Sequence, residues 1–277
     1  MVSQKEKAEA FRDLHQKPGT FVIPNPWDAG SAKILASLGF EALATTSAGF
    51  AFTLGRPDAK GEISRDETLR NAAAIVEATD LPVSADLENG FGAAPEGAAE
   101  TIRLAARVGL VGGSIEDATG NDNQPILELG LAVDRIRAAV EAARSSIFPF
   151  TLTARAENYL YGRPDLADTI KRLQAFQEAG ADVLYAPGLK TLGDIGSVAR
   201  SVDRPVNVVM GLSGSTLTVA QLAAVGVKRI SVGSSLARAA LGAFQRAAEE
   251  IRDHGSFTYA ADALTFAQLN KQFTAPA

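Results

Sequence analysis

Asp86 and Glu88 follow the apolar run 82–85 in PVSADLENGFG, two residues apart at the end of a segment that otherwise reads as a buried strand. Carboxylates are almost never buried unless they are paired or hold a metal. The same pattern recurs where other apolar runs end: Glu116 and Asp117 close SIEDATG, and Arg155 and Glu157 close TARAEN. Ser47 in TTSAG, Trp27 with Asp28 in NPWD, and Asn207 in NVVMG occupy equivalent places. Residues two apart on a strand point the same way, so Asp86 and Glu88 are expected to project together. Acids gathered on neighbouring strands repel one another unless a cation neutralises them. A hard, oxygen-binding ion such as Mg²⁺ suits such a set, because it takes one or two carboxylates and keeps several waters. Arg155 can grip a carboxylate in bidentate fashion, which points to a small acid as the partner.

These residues need a scaffold that brings strand ends together. Short apolar runs at 21–24, 42–46, 82–85, 111–115, 148–153, 183–185, 206–209 and 230–232 predict eight strands, separated by segments of helical periodicity. Ser64 with Glu67 fits a capping box, and Gly39, Gly109, Gly180 and Gly226 sit where helices should stop. Strict alternation of strand and helix implies parallel strands joined by right-handed crossovers, and eight such units close into a (β/α)8 TIM barrel whose active site lies at the C-terminal strand ends. An open doubly wound sheet is disfavoured because no GxGxxG follows the first strand. No linker divides the chain, so residues 1–277 read as one domain, with 234–277 forming the last barrel helix and a C-terminal helical extension.

The composition, 46% hydrophobic and 21% charged with a formal net charge of −5, carries no basic block and gives no sign of nucleic-acid or anionic-membrane binding. The chain has no cysteine, which excludes disulfides, thiolate metal sites and a cysteine nucleophile. No signal-peptide core and no run of about 20 apolar residues is present, so a cytoplasmic protein is expected.

LPVSADLENGFG, SIED, TARAE, GRPD and PNPWDAGSAKILASLGFEALATTSAG together resemble the isocitrate lyase and phosphoenolpyruvate mutase superfamily, in matching order from Phe21 to Gly233. The resemblance implies a (β/α)8 barrel, Mg²⁺, a substrate that is an α-oxo acid or forms an enolate of one, and dimers or tetramers that exchange the last barrel helix. It implies Asp86 as the direct metal ligand, with Glu88 and Glu116 acting through water. It implies Arg155 on the substrate, Trp27, Ser47, Ala48 and Gly49 around its carboxylate end, and Asp58 of GRPD as a site acid. The superfamily's isocitrate and methylisocitrate lyases carry a KKCGH-type loop after the strand-four motif, and its mutases a lysine there. This chain has ATGNDNQPILELG, with neither cysteine nor lysine, and Glu88 stands where aspartate is more usual. The expectation is therefore a phosphonomutase-like or oxaloacetate-decarboxylase-like member that is not a true isocitrate or methylisocitrate lyase.

Each residue also has a structural role open to it. Asp86 and Glu88 could be a solvated strand end, Glu116 and Asp117 a helix cap, and Arg155 only a counter-charge to Glu157. Trp27 could be core, Asp58 a turn residue after proline, and Asn207 a satisfier of backbone groups. His15 and His254 are expected outside the mouth, on the surface. A second function also stays open: a barrel that keeps the ligand site without turnover and serves as an α-oxo-acid-binding or scaffold protein.

Overall fold

The computed structural model describes residues 2–212 and 216–274. Eight parallel strands, β1 (Phe21–Ile23), β2 (Leu43–Ala44), β3 (Val83–Asp86), β4 (Gly112–Glu116), β5 (Thr151–Arg155), β6 (Val183–Tyr185), β7 (Val206–Val209) and β8 (Arg229–Ser231), form one sheet in which β8 pairs with both β7 and β1. Among the described residues no ladder forms between β1 and β2. There the ring is drawn together by Ala44 N–H donating to Pro24 O at 3.1 Å and by the Asn25 amide donating to Thr45 O at 2.9 Å. The result is a nearly closed TIM barrel, as the alternating pattern requires.

Helices α1 (Gln4–Gln16) and α2 (Ala29–Ser37) flank β1. α3 (Ser47–Thr53) and α4 (Arg65–Glu77) follow β2, and α5 (Pro95–Arg107), α6 (Leu129–Arg144), α7 (Leu166–Glu178), α8 (Leu192–Arg200) and α9 (Val219–Ala224) follow β3 to β7 in turn. α10 (Ser235–His254) and α11 (Phe266–Thr274) end the chain. The Ser64–Glu67 capping box starts α4 as expected, and the four expected glycine stops all have positive φ. At Gly109, with φ +93°, a Cβ would also meet Val76 Cγ1 at 2.8 Å, so the turn needs glycine twice over. α3 is not readable from TTSAG. It forms because Thr46 Oγ1 accepts from Gly49 N–H at 3.2 Å and caps a turn the strand pattern had run into.

α1 closes the N-terminal end of the barrel. Its Ala8, Phe11 and Leu14 pack with Phe21, Ile23, Ala42 and Val111. His15 is buried here too, which corrects its expected surface position. Its Nδ1 lies 2.8 Å from Phe11 O and its Nε2 lies 3.2 Å from the Arg229 guanidinium. Burial, and then the Arg229 charge, push its pKa down to about 3, so the ring stays neutral.

α10 is the exception to inward packing. Of its residues only Ala237 is buried, while Phe244 is 73% exposed and Leu241 and Ile251 also face outward. α11 folds back on α2, where Lys33 Nζ donates to Phe273 O at 3.2 Å. Among the described residues no helix is long and apolar enough to cross a membrane.

Candidate active site

The ladder register sets the site. Glu116 pairs with Arg155 across β4 and β5, and Arg155 with Tyr185 across β5 and β6, so three strand ends deliver their last side chains at one level. Arg155 is the hub. Its Nη1 lies 2.9 Å from Asp86 Oδ1, its Nη2 3.1 Å from Glu116 Oε2 and its Nε 2.8 Å from Glu157 Oε1, with the guanidinium over the Tyr185 ring at 5.1 Å. Burial alone would weaken the Arg155 charge, but Glu157, Asp86 and Glu116 more than offset it and hold it firmly protonated. The counter-charge role is therefore real. It leaves one further N–H on each terminal nitrogen for a ligand.

Asp86 is fixed from both sides. Its Oδ2 accepts from Ser47 Oγ at 3.0 Å, its backbone N–H donates to Thr45 Oγ1 at 3.0 Å, and its Oδ1 also accepts from Glu88 N–H at 3.3 Å. Glu116 is pushed well above the usual carboxylate range by burial, against the pull of Arg155 and with the push of Glu157, Asp86 and Glu88. Glu88 rises to about 7 through burial and then the charges of Asp86 and Asp58. Asp58 rises through burial and Asp86, opposed by a hydrogen bond from Ser47. The structure thus brings Ser47, Asp58, Asp86, Glu88, Glu116 and Arg155 together.

Several expected placements change. β3 ends at Asp86, and Glu88 adopts φ +48°, so strand alternation no longer dictates its direction. Asp86 faces a chamber of about 150 Å³ inside the barrel, with Ser47, Ala48 and Asp58. Glu88 and Glu116 face an adjoining cavity of about 710 Å³. Asp117, just past the end of β4, turns away from the mouth toward partners on β5 and α7. It accepts from Glu157 N–H at 2.8 Å and pairs with Arg172 at 3.2 Å, locking the end of β5. Asp28 is the N-cap of α2, accepting from Ser31 N–H at 2.7 Å. Trp27 is half-buried and does not line the chamber; its Cβ stands 3.1 Å from where a Cβ on Gly49 would lie. Gly49 itself is buried under Thr46, which leaves no room for a side chain. Asn207 lines the chamber, but its amide is engaged, donating to Ser231 Oγ at 3.0 Å and accepting from Arg229 Nε at 2.8 Å.

Tyr185, Tyr161 and Arg135 line the candidate site and were missed by sequence reasoning. Tyr185 carried a usable signal, since it ends a strand beside the one that Arg155 ends. Tyr161 lies in an aperiodic loop and carried none. Arg135 is 1% exposed and donates to the carbonyls of Asn89, Gly92 and Ala93, the last at 2.8 Å. That cation holds the turn in which Glu88, Gly90 and Phe91 all have positive φ.

Among the described residues no three acids or histidines converge closely enough to cage a metal. The donor set still fits a hard cation. Asp58, Asp86, Glu88 and Glu116 outnumber the one arginine between them, and the pKa values of Asp58 and Glu88 are raised partly by the like charge of Asp86. An ion held directly by Asp86, with the other acids reaching it through water, does not need a preformed cage.

An eight-stranded parallel barrel with an acid-rich mouth organised by one arginine defines the class: a (β/α)8 barrel with a candidate site at the C-terminal strand ends. A family model described as phosphoenolpyruvate phosphomutase matches residues 11–252. A solved structure from Burkholderia cenocepacia J2315, a candidate lyase/mutase, is 61% identical with a TM-score of 0.96, over 99% of this chain and 97% of that one. Oxaloacetate acetylhydrolase, solved with its product oxalate, aligns with a TM-score of 0.89 at 25% identity, over 99% and 96%. The 2-methylisocitrate lyase of Bacillus subtilis (strain 168) is 31% identical over 267 residues, 92% of this chain and 84% of that relative. The chain belongs to the phosphoenolpyruvate mutase family, within the isocitrate lyase/phosphoenolpyruvate mutase superfamily of lyases and mutases.

Proposed function

We propose that the protein is an Mg²⁺-dependent lyase acting on a small α-oxo carboxylic acid, with oxaloacetate decarboxylation or carbon–phosphorus cleavage as its chemistry. The observation that carries this reading is the Arg155 hub, with three carboxylates on one guanidinium beside two further acids of raised pKa. Mg²⁺ bound at Asp86 would act as a Lewis acid on the oxo and carboxylate oxygens of the substrate. The chain's own residues do the rest. The remaining N–H groups of Arg155 orient the substrate carboxylate, and Ser47 holds Asp86 in place. Tyr185 and the buried Asn207–Arg229 floor keep the chamber rigid and small, which suits a short acid.

Oxaloacetate acetylhydrolase supports an oxo acid of this size as the ligand. The relatives named 2-methylisocitrate lyase leave the exclusion of that reaction without support from comparison. The exclusion rests on the chain itself, which has no cysteine to serve as the acid. A phosphonomutase is a weaker reading, since no lysine lies in 118–130. A non-catalytic α-oxo-acid-binding or scaffold protein is weaker still, since a scaffold needs no excess of acids at its rim. The reading extends to assembly: a second copy of the chain covers the outward apolar face of α10, giving a homodimer or homotetramer.

The test is product formation from oxaloacetate with Mg²⁺ and with excess chelator, scored for pyruvate and for oxalate plus acetate. Metal-dependent pyruvate release is expected. Oxalate plus acetate would mean hydrolysis of the C2–C3 bond, with water consumed, and would replace the lyase reading by a hydrolase one. No turnover of oxaloacetate or a phosphonate analogue, with oxalate still bound, would leave the binding-protein reading.

A further inference from the structure

The two ends of the 150 Å³ chamber carry opposite charges. At the mouth, carboxylates outnumber Arg155 and suit a cation. At the inner end stands a second arginine, Arg229, which lines the same chamber as Asp86 and Arg155. The ladder register places it there. The line of paired residues that starts at Arg155, the last residue of β5, runs through Tyr185 and Asn207 to Arg229, the first residue of β8. It therefore descends from the mouth to the floor, with every side chain on the barrel's inner face.

Arg229 is 5% exposed, and each nitrogen of its guanidinium meets an uncharged group. Nε donates to Asn207 Oδ1 at 2.8 Å, Nη2 donates to Thr153 Oγ1 at 2.9 Å, and Nη1 lies 3.2 Å from His15 Nε2. The His15 ring is neutral there, because its Nδ1 must carry the proton given to Phe11 O at 2.8 Å, which leaves Nε2 to accept. Among the described residues no carboxylate forms an ion pair with Arg229, whereas Arg155 has three. Burial lowers the Arg229 pKa to about 10, which still leaves the group charged at neutral pH. A buried charge without a counter-ion is costly. A neutral side chain could bond the same three partners without that cost, so hydrogen bonding alone does not account for an arginine here.

We propose that Arg229 is the fixed counter-charge for the ligand, so that the chamber favours a fragment carrying two negative charges over one carrying a single charge. The inference rests on the α-oxo-acid reading above and deepens it. With oxaloacetate, the electron pair of the C3–C4 bond passes to the enolate of pyruvate and C4 leaves as uncharged CO₂, so both negative charges end on the retained fragment, on its carboxylate and its enolate oxygen. A preorganised positive charge at the floor stabilises that fragment without having to reorient as charge develops. Arg229 acts through its field across the chamber and is a positioning charge, not a catalytic residue.

Two probes of nearly equal shape test this: oxalate, a dianion resembling the enolate, and oxamate, a monoanion in which an amide replaces one carboxylate. Their affinities are measured by calorimetry at pH 7 with Mg²⁺ for wild type, Arg229→Gln and Asn207→Asp. Arg229→Gln removes the charge and keeps an amide for the polar partners. Asn207→Asp is nearly isosteric, keeps the bond from Arg229 Nε and supplies the missing counter-charge in place, so it carries the test if the glutamine variant fails to fold. Both variants are expected to lose the preference for oxalate over oxamate by about tenfold or more, the scale of one unit charge acting across a chamber of this size at an effective dielectric of about 20. A preference retained in either folded variant would overturn the proposal. So would an equal loss of affinity for both probes, which marks a packing role. Wild type that binds neither probe would instead sink the α-oxo-acid reading, so the two failures are distinguishable.

Discussion

Replacing Arg155 by methionine tests the central electrostatic claim. The substitution keeps most of the side-chain volume and removes the guanidinium that faces Asp86, Glu116 and Glu157, whose side chains are 19%, 12% and 2% exposed. Removing one partner of a buried ion pair costs about 3–5 kcal/mol, because the orphaned charge stays buried. For a domain of this size each kcal/mol lowers Tm by about 2–4 °C, so a fall of roughly 6–20 °C is expected at pH 8. The orphaned acids can escape by taking a proton. Their pKa values in the folded variant lie above those of the unfolded chain, so the folded state binds more protons and stability falls as pH rises through that window. The loss relative to wild type should therefore shrink from pH 8 to pH 5. Thermal unfolding of both proteins at the two pH values measures it. An equal loss at both, or a loss under about 1 kcal/mol, well below the range for a buried pair, would refute the hub.

Asp86→Ala should abolish Mg²⁺-dependent turnover while leaving the far-ultraviolet circular dichroism unchanged, since Arg155 keeps two carboxylate partners. Full activity there, or in excess chelator, would contradict a metal at Asp86. Because the Glu88 pKa stands at about 7, protons compete with the cation, so Mg²⁺ affinity measured calorimetrically should rise from pH 6 to pH 8; a flat profile would remove Glu88 from the site. Phe244→Glu should convert the assembly to monomer in light scattering at micromolar concentration; an already monomeric wild type would contradict the α10 interface. Isocitrate and 2-methylisocitrate should not turn over. Release of glyoxylate or pyruvate from them at about 1 s⁻¹ or faster, a rate typical of enzymes, would overturn the argument from the missing cysteine.

The eight strands, their order and the gathering of acids with Arg155 at the strand ends were legible in the sequence, because parallel strands announce themselves as short apolar runs and in a barrel the ends of those runs meet. The Ser64–Glu67 cap and the glycine stops were legible for the same reason: each depends on a few neighbouring residues. So were Asp86, Glu116 and Arg155, which are polar residues ending otherwise buried segments. What only the tertiary structure decided depends on groups far apart in the chain. Asp117 reads like Glu116 until Arg172, 55 residues later, claims it. His15 looks like a surface residue of a polar helix until that helix plugs the barrel and meets Arg229, 214 residues away. Glu88 follows the strand pattern by spacing, yet it leaves that pattern because Arg135 holds the carbonyls of its turn in a positive-φ arrangement that no local preference announces. Sequence spacing encodes periodic local geometry. The direction a side chain finally takes at the end of a strand is set by partners that folding alone brings into reach.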